Sequence, residues 1–166
     1  MAITPTFPRA ATATALSALL GAGALLAAGA ATAAPDERPS CVPGDLDVSV
    51  AEIPAPDDGR LFAIELDAKP GVSCQVEGAP SGLTFFNDGA VQDVRVIAPE
   101  PGTAQPHTID EQHPGVAYAA TPPVSPHPAP ISSITFTLPA GGGITADWPS
   151  AIDGPVRIGN IGPQVS

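Results

Sequence analysis

Residues 46–66 read LDVSVAEIPAPDDGRLFAIEL, and this stretch decides the fold class. Leu46, Val48 and Val50 alternate with Asp47 and Ser49, and Phe62, Ile64 and Leu66 alternate with Ala63 and Glu65. A period of two puts each set on one face of a strand, where a helix would need a period near 3.6. Between the runs, Pro54-Ala55-Pro56-Asp57-Asp58-Gly59 has the composition of a turn. The stretch therefore predicts a β-hairpin with one apolar face turned toward a core.

The same punctuation continues along the chain. Short apolar or alternating runs occur at residues 74–77, 83–86, 91–97, 116–119, 134–138, 144–148 and 156–161, and Asn87-Asp88-Gly89 supplies a further turn. No long stretch carries a helical period, so the reading is all-β: a two-sheet antiparallel β-sandwich of about 7–9 strands. Phe62, Phe85, Phe136 and Trp148 fall at inward registers and are expected in its core. Two segments interrupt the spacing, 99–114 and 121–130. The second, TPPVSPHPAP, contains five prolines in ten residues. Proline donates no ladder hydrogen bond, so this segment is expected as an extended surface connector, with a proline-rich recognition ligand as the alternative.

The N-terminus reads as an export signal. Arg9 precedes a charge-free run rich in Ala, Leu and Gly, and Ala31-Thr32-Ala33 offers the small residues of a cleavage site after Ala33. The run is too diluted by Ala, Gly and Thr to favour a retained membrane anchor. Cys41 lies outside the apolar stretch, so no lipobox is read there. The domain plan is a signal peptide over 1–33, a short linker over 34–40 and a single β-sandwich domain over 41–162, secreted and extracellular or associated with the cell wall. After residue 33 all 17 acidic residues remain, against Arg38, Arg60, Lys69, Arg95 and Arg157. That balance supplies no basic patch for nucleic acid or an anionic membrane, and no stable membrane insertion is expected after cleavage.

Cys41 and Cys74 are an even pair in an oxidising compartment, for which a disulfide is the default. Zinc is the weaker reading, because two cysteines without C-x-x-C spacing supply half of a tetrahedral shell.

Catalytic signatures are sparse. Gly71-Val72-Ser73-Cys74-Gln75 lacks the closing glycine of a nucleophile elbow, and Ala140-Gly141-Gly142-Gly143 has no following Gly-Lys. Asp57-Asp58-Gly59 and Asn87-Asp88-Gly89 are explained by turns and do not continue into a calcium loop. The cluster His107-Thr108-Ile109-Asp110-Glu111-Gln112-His113 has ligand-type residues, but H-x5-H is not the H-E-x-x-H spacing. A solvated polar loop is the first reading. A weak zinc or copper site built from His107, Asp110 and His113, with His127 as a further ligand, is the second. No catalytic residue, cofactor or bound metal is assigned. With one Trp and one Tyr in the chain, few rings remain for a sugar-binding platform.

The order Cys41-x-x-x-Asp45-Leu46-x-Val48, an alternating strand from Phe62 to Leu66, Ser73-Cys74-x-Val76-x-Gly78-x-Pro80, and Leu138-Pro139-x-Gly141 followed by Ala146 and Trp148 resembles the secreted actinobacterial domain-of-unknown-function 4232 family. The resemblance spans about residues 41–149. It implies an immunoglobulin-like sandwich and carries no established reaction or catalytic residues. The functional expectation is a non-catalytic binding or cell-envelope interaction domain, monomeric, with an envelope protein, a glycan or a small ligand as partner. The alternatives are an extracellular hydrolase with loop carboxylates and the weak metal-binding protein.

Overall fold

The computed structural model describes residues 38–56 and 58–165, and the signal peptide read at 1–33 lies outside them. After a 3-10 turn at Pro43–Asp45, the chain forms β1 (Leu46–Ile53), β2 (Arg60–Ala68), β3 (Cys74–Val76), β4 (Ser81–Asn87), β5 (Ala90–Gln92) and β6 (Val96–Ile97). There follow β7 (His107–Ile109), β8 (Gly115–Thr121), β9 (Ser133–Thr137), β10 (Gly143–Asp147), β11 (Val156–Ile158) and β12 (Gly162–Pro163). Among the described residues no helix is long and apolar enough to cross a membrane.

The architecture is an all-β, two-sheet sandwich. One sheet runs β1-β2-β8-β11-β6, with β12 also paired to β8; the other runs β10-β9-β4-β5; β3 and β7 form a two-stranded flap. Between these strands every pairing is antiparallel except β11 with β6. The β1–β2 hairpin forms as its alternation requires, in unbroken register from Leu46 opposite Ala68 to Ile53 opposite Leu61. Its buried face, Leu46, Phe62, Ile64 and Leu66, meets Phe85, Ile134, Phe136, Ile144 and Trp148 in one contiguous core.

The twelve strands among the described residues exceed the expected seven to nine for three reasons, the smallest being β12, whose Gly162 and Pro163 pair with β8 just beyond the run at 156–161. The run at 91–97, read as one strand, splits. Its first half pairs with β4, the Val94 N–H turns back to the Gln92 carbonyl at 3.0 Å, and Val96 then pairs with Val156 in the other sheet. The segment 99–114 was expected as an interruption, yet it contributes β7, whose Ile109 is wholly buried opposite Cys74. Burying that side chain outweighs the polar character of its neighbours.

Gly115 explains the close fit behind this flap. A Cβ there would meet Ile109 Cδ1 at 2.5 Å and Ile161 Cγ2 at 3.1 Å, so a side chain at this position would push β7 and the β11–β12 connection off β8. The proline-rich segment is an exposed connector, pinned at two points. Asp153 accepts from the Ser125 N–H at 2.6 Å and from its hydroxyl at 2.8 Å, and Ala129 pairs with Ile152 through two backbone hydrogen bonds.

Candidate functional site

A groove of about 570 Å³ lies at one margin of the sandwich. Its floor and walls come from three distant parts of the sequence: Pro80 and Leu83 at the start of β4, Val96 and Pro99 around β6, and Ile158 of β11 with Asn160 beyond it. These segments meet because the chain crosses from one sheet to the other between β5 and β6. The Ile161 N–H donates to the Gly78 carbonyl at 2.8 Å, joining the segment ahead of β4 to the one after β11. Gly78, at φ 122°, lies where an added Cβ would touch the Pro139 ring.

The loop over 99–104 forms the outer wall, held by side-chain hydrogen bonds. The Thr103 hydroxyl donates to the Glu100 carbonyl at 2.7 Å, and the Asn160 amide donates to Thr103 Oγ1 at 2.9 Å. The lining is mostly apolar, with Glu100 and Asn160 as its main polar groups. A concave site of this size, apolar with a few polar groups, is the usual form of a small-molecule site.

The histidine cluster is placed differently from the expectation of a polar loop. His107 and Thr108 belong to β7, and only residues 110–113 form a turn. Asp110 Oδ1 accepts from the backbone N–H groups of Gln112 and His113, both at 3.0 Å, and lies 2.8 Å from His113 Nδ1. The His113 contact first, then the Gln112 N–H, holds the Asp110 carboxyl below the usual carboxylate range. His107 Nε2 lies 3.0 Å from the Pro114 carbonyl. One carboxylate oxygen and one nitrogen of each imidazole are therefore already engaged within the protein. Among the described residues, no three His, Cys, Asp or Glu side chains converge on a point that would hold a metal ion. His127 lies in the proline-rich connector, beside Ser125, and its backbone N–H donates to the Ser125 hydroxyl.

Cys41 and Cys74 form the expected disulfide, with Cα atoms 4.9 Å apart. It ties the entry of the domain to β3, and backbone bonds from Cys41 to Gln75 and from Gln75 to Pro39 extend that attachment. Ordered pairing thus begins two residues ahead of Cys41, inside the stretch read as a linker.

At the opposite end of the β1–β2 hairpin, Arg60 gathers four partners. Its guanidinium donates to both Glu52 oxygens, at 2.7 and 2.6 Å, to the Ser150 hydroxyl at 2.6 Å and to the Ala151 carbonyl. The Ser150 hydroxyl in turn donates to Glu52 at 3.0 Å. The Arg60 hydrogen bond holds the Glu52 carboxyl below its ordinary range, and Glu52 raises Arg60. Arg60 also lies over the Phe62 ring, 5.0 Å from its centroid. Four of the five N–H donors of the fork are used within the fold, which makes this a structural clamp.

Comparison with protein-family models, with curated proteins and with solved structures finds no match for this chain.

Proposed function

We propose that the protein is a secreted, non-catalytic binding domain of the cell envelope, related to the domain-of-unknown-function 4232 family, and that it takes a small, largely apolar ligand in the groove beside β4, β6 and β11. The groove itself carries this reading: its walls are Pro, Leu, Val and Ile, and its few polar groups are placed to orient a bound molecule. A glycan is less suited, because no aromatic ring lines the groove to stack on a sugar. The disulfide and the resemblance of residues 41–149 support the extracellular placement.

The test uses Ala98→Trp, a substitution at an exposed position of the lining intended to fill the groove. Nile red, an uncharged apolar dye, is expected to bind the mature protein with enhanced emission and to lose that enhancement in the filled variant. Equal emission from both proteins would overturn the groove as the site. Incubation with a labelled cell-wall preparation addresses the class of function: retention without released fragments agrees with binding, whereas released fragments would replace it with the hydrolase alternative.

A further inference from the structure

Among the described residues, the two sheets each end in a strand that has no ladder partner on its outer side, β1 and β10, and these two edges face each other across one side of the sandwich. A cleft of about 260 Å³ separates them, walled by Pro43, Leu46, Val48, Ile144 and Thr145. The other ends of the two main sheets are short: β5 has three residues and β6 two. β1 has eight, in unbroken register with β2. It contains no proline and no bulge, two of the devices by which exposed edges are usually protected.

The ladder parity identifies which groups are open. The Lys69 N–H donates to the Asp45 carbonyl at 2.9 Å. Hydrogen-bonded and non-hydrogen-bonded pairs alternate along an antiparallel ladder, so the backbone N–H and C=O groups of Val48 and Val50 point away from β2. Beside them, the side chains of Asp47 and Ser49 are exposed while Val48 and Val50 are half-buried. Across the cleft, β10 adds the exposed Asp147.

A second copy of the chain fits this edge poorly. Antiparallel pairing of two β1 strands would bring together two molecules of net charge −11, each with Asp47 exposed along the paired edge. The carboxylates favour the opposite sign.

We propose that β1 is a strand-addition site that takes an extended cationic peptide, with alternate side chains beside Val48 and Val50 and Lys or Arg beside Asp47. The backbone hydrogen bonds supply affinity and the alternation supplies register. The site shares no lining residue with the groove, so it stands or falls separately from the small-ligand reading.

The probe is the peptide Lys-Val-Lys-Val-Lys-Val-Lys, titrated into the isotope-labelled mature protein with backbone amide exchange as readout. Slowed exchange at Val48 and Val50 is expected, and a copy of the peptide N-methylated along one edge should abolish it. Val50→Pro removes one outward donor at an edge position, where proline is tolerated, and should weaken binding at least roughly tenfold. Asp47→Lys, at an exposed site that leaves the backbone intact, should weaken it roughly three- to tenfold. Equal binding of the N-methylated peptide, protection elsewhere than β1, or no binding at millimolar peptide would overturn the proposal. So would a concentration-dependent dimer that Val50→Pro dissolves, which would assign the edge to self-association.

Discussion

The two ends of the β1–β2 hairpin are closed by different chemistry. Where Leu46 meets Ala68, the Cys41–Cys74 bond joins the entry of the domain to β3. Where Ile53 meets Leu61, the closure is the Arg60 clamp, set over Phe62 and the Trp148 ring behind it. The first end acts mainly on the unfolded chain, by shortening the loop it must explore, and is indifferent to moderate changes of pH. The second acts in the folded state and depends on a carboxylate staying charged. One small domain thus separates a redox-sensitive closure from an acid-sensitive one.

The largest effect is expected in the core beneath the clamp. Trp148 packs 4.5 Å from Phe62 and edge-on to Phe85 at 5.1 Å, centroid to centroid. Trp148→Ala should cost about 3 to 5 kcal/mol in urea unfolding. Trp148→Phe should cost much less, because it keeps a ring in place and removes an indole N–H that has no hydrogen-bond partner among the described residues. Equal losses in the two variants would show that the ring contacts are not what this end depends on.

Replacing both Cys41 and Cys74 by Ser should cost about 3 to 4 kcal/mol in the chain-entropy treatment, given a separation of 33 positions. The loss should be the same at pH 7 and pH 4. A loss that grew toward acid would mean that the two ends are coupled.

Arg60→Met keeps the apolar stem and removes the fork. It should cost about 1 to 3 kcal/mol, chiefly by leaving the Ala151 carbonyl without its donor and Glu52 with only the Ser150 hydroxyl. A change below measurement would reduce the clamp to a surface ion pair.

The smallest effect is the most specific. Glu52 has its folded pKa below the unfolded value of about 4.3, so its contribution is present above that value and lost as pH falls through the folded pKa. Stability should decline with acid below about pH 4, and Glu52→Gln should flatten that part of the profile. The Glu52 side chain is 39% exposed, so the effect is modest and salt-dependent. Asp153 and Asp110, also lowered by their hydrogen bonds, add acid sensitivity that Glu52→Gln leaves in place.

Much of the fold was legible because it is written locally. Alternation at Leu46–Val50 and Phe62–Leu66, the turn residues between them and the inward register of Trp148 all describe which face of a strand is wet. The disulfide followed from cysteine number and the expected oxidising compartment. What was not legible depends on partners far along the chain. The run at 91–97 has the composition of one strand, and only the arrival of Val156 beside Val96 divides it between two sheets. β7 hides in a polar setting because a single buried side chain, Ile109, carries its docking. The groove has no motif at all: Leu83, Val96 and Ile158 are ordinary strand residues, and their convergence is a product of the sheet crossing. The edge at β1 was visible as a strand, but its lack of an outer partner among the described residues is a fact of topology.

Trp148 is the one tryptophan in the chain, and Tyr118 the one tyrosine. The first is buried at the clamp end. The second exchanges hydrogen bonds with Val165 just beyond β12, accepting its N–H at 3.0 Å. Each optical transition therefore belongs to a single place. Red-shifted indole emission reports solvent reaching the Phe62–Trp148 pair, while a change confined to the phenol reports release of the C-terminal strand. The protein carries two spectrally distinct probes of its own opening, with no label added.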